Sequence, residues 1–205
     1  MIPVFLLSPA RTNGLRAEQL AASRSPTGVA LRSSGAPLGD IFTWLSALYF
    51  RGKLTYARTF APRRTFIMAP GLGLCPASRL VTAADLRAMA AIEIESPAFV
   101  DPLRRDAAAL ARRHRTVPFV LLGSIATGKY IDTLLDVFGD RLVFPETFVG
   151  RGDMSRGGLL LRAARAGEQL AYAPVQGAIR RGKRPAKLPK LTYGISRAAG
   201  SSWGE

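Results

Sequence analysis

The sequence is poor in the residues that most often build redox and metal sites. Its 205 residues include one cysteine, Cys75, and one histidine, His114. A single cysteine excludes a disulfide within the chain and indicates a reducing, cytoplasmic setting. His114 lies among arginines in a charged stretch, which is typical of a solvated helix end rather than of a zinc site or a catalytic triad. We therefore expect neither a metal nor a cofactor.

Long hydrophobic runs are also missing. No apolar stretch approaches the roughly 20 residues that a membrane-spanning helix needs. The N-terminal segment MIPVFLL is apolar, but it is short and no basic segment precedes it, so it is not typical of a signal peptide. The sequence predicts a soluble, intracellular protein without a membrane partner.

Acidic residues are scarce relative to basic ones. There are 14 Asp and Glu against 29 Lys and Arg, which gives a net charge of +15. Only five of the basic residues are lysine, and a GC-rich genome would explain that preference for arginine. Such a genome does not explain the excess of bases over acids. Binding to a polyanion explains this excess, because each phosphate that a basic residue neutralises releases counterions. We therefore expect a nucleic-acid or nucleotide partner.

Apolar strand-like runs alternate with helical patterns along most of the chain. The main predicted strands are residues 2–7, 64–70, 117–123 and 141–148, with a short one at 92–96. Alternation of this kind predicts an α/β fold: a single domain over residues 1–175, with a mixed, mostly central sheet flanked by helices. Loops that follow parallel strands meet along one edge of the sheet, where ligands commonly bind. Residues 176–205 are basic, lack periodicity and are predicted to form a flexible arm.

Three further local patterns predict the structure of individual segments. Residues 23–40 are rich in Ser, Gly and Pro and lack a clear period, so they are predicted to be an irregular connection. Residues 71–78 are predicted to form a glycine-rich turn. Asp101 followed by a proline is typical of a helix start.

A glycine-bearing segment, GSIATGK at residues 123–129, has the spacing of a phosphate-binding P-loop. Tyr130 stands where a triphosphatase needs a Ser or Thr to hold Mg²⁺, and no predicted strand ends in the aspartate that would hold the metal from the other side. The segment is therefore predicted to be an anion-favouring helix N-terminus rather than an ATP site. Lys129 is its candidate phosphate contact.

A second glycine-rich loop, residues 150–158, concentrates Arg151, Asp153, Ser155 and Arg156. The two arginines suit a phosphate or the face of a base. Asp153 is a candidate general base, as is Glu146 before the loop. The alternative role of Asp153 is to cap the helix that begins near Ser155 and to pair with an arginine.

Two further segments supply polar and aromatic candidates. The turn SPARTNG after the first strand brings Ser8, Arg11 and Asn13 to the sheet edge. Tyr49 and Lys53 are four residues apart on one helix face, a pattern that suits base stacking combined with phosphate contact. An ordinary amphipathic helix whose tyrosines border the core explains that pattern equally well.

Four short motifs, in this order, resemble the YaaA family of peroxide-stress-associated bacterial proteins. They are FLLSPART at residues 5–12, APGLGL at 69–74, ATGKYI at 126–131 and GRGDMSR at 150–156. The resemblance implies a compact α/β fold with a positively charged cleft that binds double-stranded DNA.

Two main functions remain open. The first is a DNA-binding protein, acting in DNA protection or stress response, that holds duplex DNA without chemistry of its own. The second is an enzyme acting on a nucleobase or nucleoside, such as a DNA glycosylase, with Asp153 or Glu146 activating water. A stress-response module without chemistry is a third. The candidate nucleic-acid contacts are Ser8, Arg11, Asn13, Tyr49, Lys53, Lys129, Tyr130, Arg151, Ser155 and Arg156.

Overall fold

The computed structural model describes residues 1–126 and 128–189, apart from the side chain of Lys129. This part of the chain contains eight strands and seven α-helices. The strands are β1 (Val4–Leu7), β2 (Ala36–Pro37), β3 (Thr65–Ala69), β4 (Gly73–Pro76), β5 (Leu80–Val81), β6 (Phe119–Leu122), β7 (Leu142–Pro145) and β8 (Tyr172–Pro174). The helices are α1 (Leu15–Ala22), α2 (Pro26–Arg32), α3 (Leu38–Phe60), α4 (Ala83–Ala90), α5 (Pro97–Arg113), α6 (Lys129–Phe138) and α7 (Asp153–Ala166).

Six strands form one mixed sheet in the order β4-β3-β1-β6-β7-β8. The four inner strands are parallel, while β4 and β8 run antiparallel at the two edges. Every residue of β1 and β6 is fully buried, as expected for strands covered by helices on both faces. The predicted α/β domain with a mixed, helix-flanked sheet is therefore confirmed.

The strand order creates a switch point beside β1. The chain first places β3 on one side of β1 and then crosses over to place β6 on the other side. In sheets of this kind, the crevice outside the carboxyl ends of the strands is the usual ligand site. The loops that begin at Ser8, Pro70 and Gly123 all leave the sheet at this edge.

Local structure departs from the sequence predictions between residues 23 and 40. The irregular connection predicted there contains α2, which Ser25 caps by accepting a hydrogen bond from the backbone N–H of Gly28 at 3.1 Å. Pro26 occupies the first helical position, where its missing N–H costs nothing. Short capped helices of this kind are too brief to show a hydrophobic period.

Three further predictions are wrong in detail. Residues 73–76 of the expected turn form β4, which pairs with β3. The strand expected at 92–96 is a turn between α4 and α5. The helix expected to begin at Asp101 begins at Pro97, after Ser96, because this earlier Ser-Pro pair supplies the same start signal one turn upstream.

Helices α3 and α7 pack against each other through two glycines. A Cβ on Gly52 would lie 2.6 Å from the carbonyl oxygen of Gly157, and a Cβ on Gly157 would lie 2.7 Å from the carbonyl oxygen of Leu48. The two backbones are therefore in direct contact. This contact brings the N-terminal turn of α7 next to the middle of α3.

Helix α3 is interrupted at Ala47, which has φ 45° and ψ −120°. Residues other than glycine rarely adopt these backbone dihedral angles, and holding them costs of the order of 1–3 kcal/mol. The interruption lies between Ser46 and Tyr49, which both line the cavity described below. Backbone strain in α3 is thus concentrated beside that cavity.

The described part of the predicted C-terminal arm, residues 176–189, forms no helix or strand. It lies against α7 and the loop before it: the Arg151 guanidinium in that loop donates to the carbonyl of Ala186 at 3.3 Å, and Arg162 of α7 donates to that of Pro189. Residues 190–205 of the arm lie outside the described residues.

Candidate functional site

A cavity of about 900 Å³ opens at the carboxyl edge of the parallel strands. Its walls come from the loops after β1, β3 and β6, from α3, from the first turns of α6 and α7, and from the segment between α4 and α5. Among the predicted site residues, Ser8, Arg11, Asn13, Tyr49, Tyr130 and Asp153 lie in its walls. Residues that are distant in sequence are thus brought together at the predicted edge of the sheet.

Ser8 and Lys53 form the most buried polar pair of the site. The Lys53 ammonium nitrogen lies 2.7 Å from the carbonyl oxygen of Ser8 and 2.9 Å from its Oγ. Lys53 is 1% exposed, and its Nζ lies 4.6 Å and 4.7 Å from the ring centroids of Tyr49 and Phe50. Ser8 therefore stands between the cavity and a lysine that solvent does not reach.

Burial lowers the pKa of Lys53 from 10.5 to about 7, because the charged form loses its hydration. The Asp153 carboxylate opposes this effect, and the Arg156 guanidinium reinforces it. The uncharged amine of Lys53 is consequently well populated at neutral pH.

Tyr130 and Gly123 complete the surroundings of Ser8. The Tyr130 hydroxyl donates to the carbonyl of Ser124 at 3.2 Å, and burial raises its pKa. A Cβ on Gly123 would lie 2.7 Å from this hydroxyl and 2.9 Å from the Cβ of Ser8. Glycine is therefore needed at position 123 for Tyr130 and Ser8 to lie side by side.

Tyr49 presents a buried hydroxyl in the cavity wall. Its side chain is 6% exposed, and its hydroxyl has no hydrogen-bond partner within residues 1–126 and 128–189. Burial raises the pKa of Tyr49, an effect that the nearby Arg156 guanidinium partly offsets. The hydroxyl is enclosed by the protein beside the Arg156 guanidinium, so it contributes to the electrostatics of the wall rather than to its accessible surface.

Asp153 and Arg156 occupy the first turn of α7. The Arg156 guanidinium lies 3.5 Å from Asp153 and donates to the carbonyl of Phe148 at 3.2 and 3.1 Å. Arg156 is 8% exposed, whereas the Asp153 side chain is 68% exposed at the cavity. The carboxylate is thus accessible, while the arginine is taken up by contacts within the protein.

Among the described side chains, the charged residues of the cavity wall are mainly acidic. They are Arg11, Glu93, Glu95 and Asp153. Glu93 and Glu95 lie in the turn after α4 and were missed as site residues, because the alternation IEIES was interpreted as a strand. The signal available in the sequence is the alternation of Glu93 and Glu95 with two isoleucines. In the structure the two acids are exposed and the isoleucines are partly buried.

The remaining candidates lie outside the cavity wall or outside the description. Glu146 is exposed in a 3₁₀ turn after β7 and does not line the cavity. Arg151 donates to the Thr147 carbonyl at 3.0 Å and to the Ser155 hydroxyl at 3.2 Å, and neither Arg151 nor Ser155 is a lining residue. Lys129 begins α6, and its side chain lies outside the described residues.

The described residues contain neither a metal-binding cluster nor a membrane-spanning helix. They contain no group of three or more His, Cys, Asp or Glu side chains placed to hold a metal ion. Within the same ranges, no helix has the length and apolar character needed to cross a bilayer.

The chain was also compared with known proteins. No protein family, curated protein or solved structure matches it.

Proposed function

We propose that the protein is an enzyme that acts on a nucleobase or nucleoside bound in the cavity, with Asp153 activating the attacking water. The observation that carries this proposal is that loops distant in sequence converge on one cavity of about 900 Å³. Small-molecule sites have volumes of about 300–1,000 Å³. The cavity falls within that range, which suits a ligand of the size of a nucleoside rather than a duplex.

The polar groups of the wall suit the edges of a base. Carboxylates such as those of Glu93 and Glu95 accept hydrogen bonds from exocyclic amines and ring N–H groups. The Asn13 amide offers a donor and an acceptor together, and the Arg11 Nε donates to its Oδ1 at 2.9 Å, which orients that amide.

The proposed reaction is hydrolysis of an N-glycosidic bond. Asp153 removes a proton from water as the water oxygen attacks the sugar C1′, and the bond between C1′ and the base nitrogen breaks. The bonding electrons leave with the base nitrogen, which takes up the proton from Asp153, so the products are the free base and the sugar bearing a 1′-hydroxyl. The Asp153 carboxylate supports this role because it is accessible at the cavity. Glu146, the other candidate base, lies outside the cavity wall.

Duplex DNA held without chemistry is the second candidate, and the net charge of +15 favours it. Two of the cations proposed to contact phosphate, Lys53 and Arg156, are instead buried and bonded within the protein. The described side chains of the cavity wall contribute three acids and one base. The enzyme proposal accommodates the basic exterior, because a nucleic acid can bind outside while one base is turned into the cavity. The relation to the YaaA family remains a hypothesis.

The test measures release of free bases from single- and double-stranded oligonucleotides and from free nucleosides, by chromatography with mass detection. We expect release by the wild-type protein and a loss of about 10²–10⁴ in rate for Asp153→Asn, with oligonucleotide binding retained. Asp101→Asn, on the exposed face of α5, is the matched control and should release bases at the wild-type rate.

A different outcome would select the DNA-binding candidate. If duplex DNA binds in a salt-sensitive manner, Arg151→Ala weakens that binding, and no substrate is turned over, the enzyme proposal is wrong. Melting temperatures of all variants show whether a loss of activity merely reflects unfolding.

A further inference from the structure

We infer that Ser8 and Lys53 form a serine–lysine nucleophile pair, in which the Ser8 Oγ attacks an acyl carbon bound in the cavity and the Lys53 amine takes the hydroxyl proton. The inference goes beyond the proposed function. It concerns the reactivity of one hydroxyl group and does not depend on the ligand being a nucleobase or nucleoside.

The geometry matches that of a nucleophile with its base. The Ser8 side chain lines the cavity, and its Oγ lies 2.9 Å from the Lys53 Nζ, which is within reach for direct proton transfer. Lys53 is not a lining residue and lies behind Ser8, so it acts on a ligand through that hydroxyl. Lys53 is therefore a positioning and proton-accepting residue, and Ser8 is the group that touches the substrate.

Both oxygens of Ser8 contact the Lys53 amine. The Ser8 carbonyl oxygen can only accept, so it takes one N–H of Lys53 at 2.7 Å. When Lys53 is uncharged, its lone pair is free to accept the Ser8 hydroxyl proton. The same two contacts hold the amine against the Ser8 Oγ, to which charged Lys53 donates, so that the uncharged amine can take the hydroxyl proton from it.

The surroundings of Lys53 allow this uncharged state near neutral pH. Burial is the main cause of its lowered pKa; Asp153 on α7 raises the value, and Arg156 on α7 lowers it. The other titratable groups around the pair are the phenols of Tyr49 on α3 and Tyr130 on α6, both with raised pKa values, so they stay neutral in this range. An uncharged lysine is the form that a serine nucleophile needs as its base.

The reaction balances without a further reagent. As the Oγ–carbon bond forms, the Ser8 proton moves to Lys53 and negative charge develops on the carbonyl oxygen. The Tyr130 hydroxyl, held beside Ser8, stabilises that oxygen once its proton turns from the Ser124 carbonyl toward it. The leaving group departs with the proton from Lys53, and water then cleaves the acyl–serine bond, giving the acid and restoring both residues.

Phenylmethylsulfonyl fluoride tests the pair directly, because it reports on an activated serine whatever the natural substrate is. Ser8 attack forms an Oγ–sulfur bond, breaks the sulfur–fluorine bond and releases fluoride, while the proton passes through Lys53 to solvent. We expect a single addition by intact mass, mapped to Ser8 by peptide sequencing. Ser46, which lines the same cavity without a hydrogen bond to lysine in the described structure, should stay unmodified.

Two dependences separate a nucleophile pair from a merely structural lysine. The labelling rate should rise about tenfold per pH unit below neutrality and level off above a midpoint near 7, where Lys53 loses its proton. Lys53→Met should lower the rate at pH 8 by at least about 100-fold, and Ser8→Ala should abolish labelling. Lys183→Met, an exposed lysine in the C-terminal arm, is the control and should label at the wild-type rate.

The inference is overturned if Ser8 is not modified, if the rate keeps rising with hydroxide concentration up to pH 10, or if folded Lys53→Met labels at the wild-type rate. If Lys53→Met does not fold, the wild-type mapping and pH profile alone decide. Base release from oligonucleotides is a separate readout, so failure of one proposal leaves the other standing.

Discussion

Gly52 of α3 and Gly157 of α7 are in backbone contact, with no room for a Cβ on either residue. Tyr49 and Lys53 lie on α3 one turn or less from this contact, and Asp153 and Arg156 lie within one turn of it on α7. The separation of the two helices therefore sets the distance between the buried lysine and the charged pair that acts on its pKa.

Gly157→Ala should force the two helices apart. We expect a loss of about 1–3 kcal/mol in the free energy of unfolding, which is usual for an overpacked core, and weaker ligand binding in the cavity. Gly158→Ala is the matched control in the same helix, since its Cβ would meet only the Leu188 side chain at 3.7 Å. Denaturant melts of both variants make the comparison. Equal stability for the two would contradict the tight contact.

The lowered pKa of Lys53 predicts a pH-dependent stability. The folded protein releases the proton near pH 7, whereas the unfolded chain retains it up to about 10.5, so between these values the unfolded state binds one more proton. The free energy of unfolding should therefore rise with pH in this window, by up to about 1.4 kcal/mol per unit, relative to Lys53→Met. Urea melts from pH 6 to 10 measure the difference. A difference that stays constant with pH would show that Lys53 titrates normally.

Ala47→Gly should stabilise the protein, although it lies within α3. Glycine adopts the observed φ of 45° without a Cβ clash, so relief of strain should contribute about 1 kcal/mol. At an ordinary helical position the same change costs about 1 kcal/mol, and Ala109→Gly on the exposed face of α5 provides that control. Thermal melts of both variants should shift in opposite directions. A parallel loss would mean that Ala47 is helical in solution.

Gly123→Ala should disturb the surroundings of Ser8 more than the fold. Its Cβ would lie 2.7 Å from the Tyr130 hydroxyl and 2.9 Å from the Ser8 Cβ, so one of the two must move. We expect the rate of Ser8 labelling by the sulfonyl fluoride to fall at least tenfold, with a stability loss of about 1–3 kcal/mol. Gly152→Ala, where a Cβ would meet nothing within 4 Å, should label normally. Unchanged labelling in Gly123→Ala would show that the loop adapts freely.

The sheet could be predicted because its inner strands are buried on both faces. Runs such as residues 4–7 and 119–122 are wholly apolar, and their alternation with helices implies parallel strands whose loops share one edge. The convergence of Ser8, Tyr130 and Asp153 follows from that topology. Short elements such as α2 and β4 could not be predicted, because each spans only about two periods and contains both glycine and proline, which are typical of turns.

The roles of the cations could not be predicted for a different reason. Helical spacing placed Lys53 and Tyr49 on one face, but it does not say whether that face meets solvent or the sheet. Both residues are buried in the structure. Similarly, the charge of Arg156 suggested a phosphate contact, whereas the fold directs its guanidinium to the carbonyl of Phe148. These outcomes depend on packing between distant elements.

The walls of the cavity are contributed by residues that range from Ser8 to Asp153, so the binding site exists only after most of the chain has folded. A compound that fills it binds the native state and not the unfolded chain. At a concentration 100 times its Kd, such a compound would stabilise the protein by about 2.7 kcal/mol. For a chain of this length, that corresponds to a rise of about 5–10 °C in Tm. Thermal-shift screening of a metabolite library can therefore identify the natural ligand before any reaction is known.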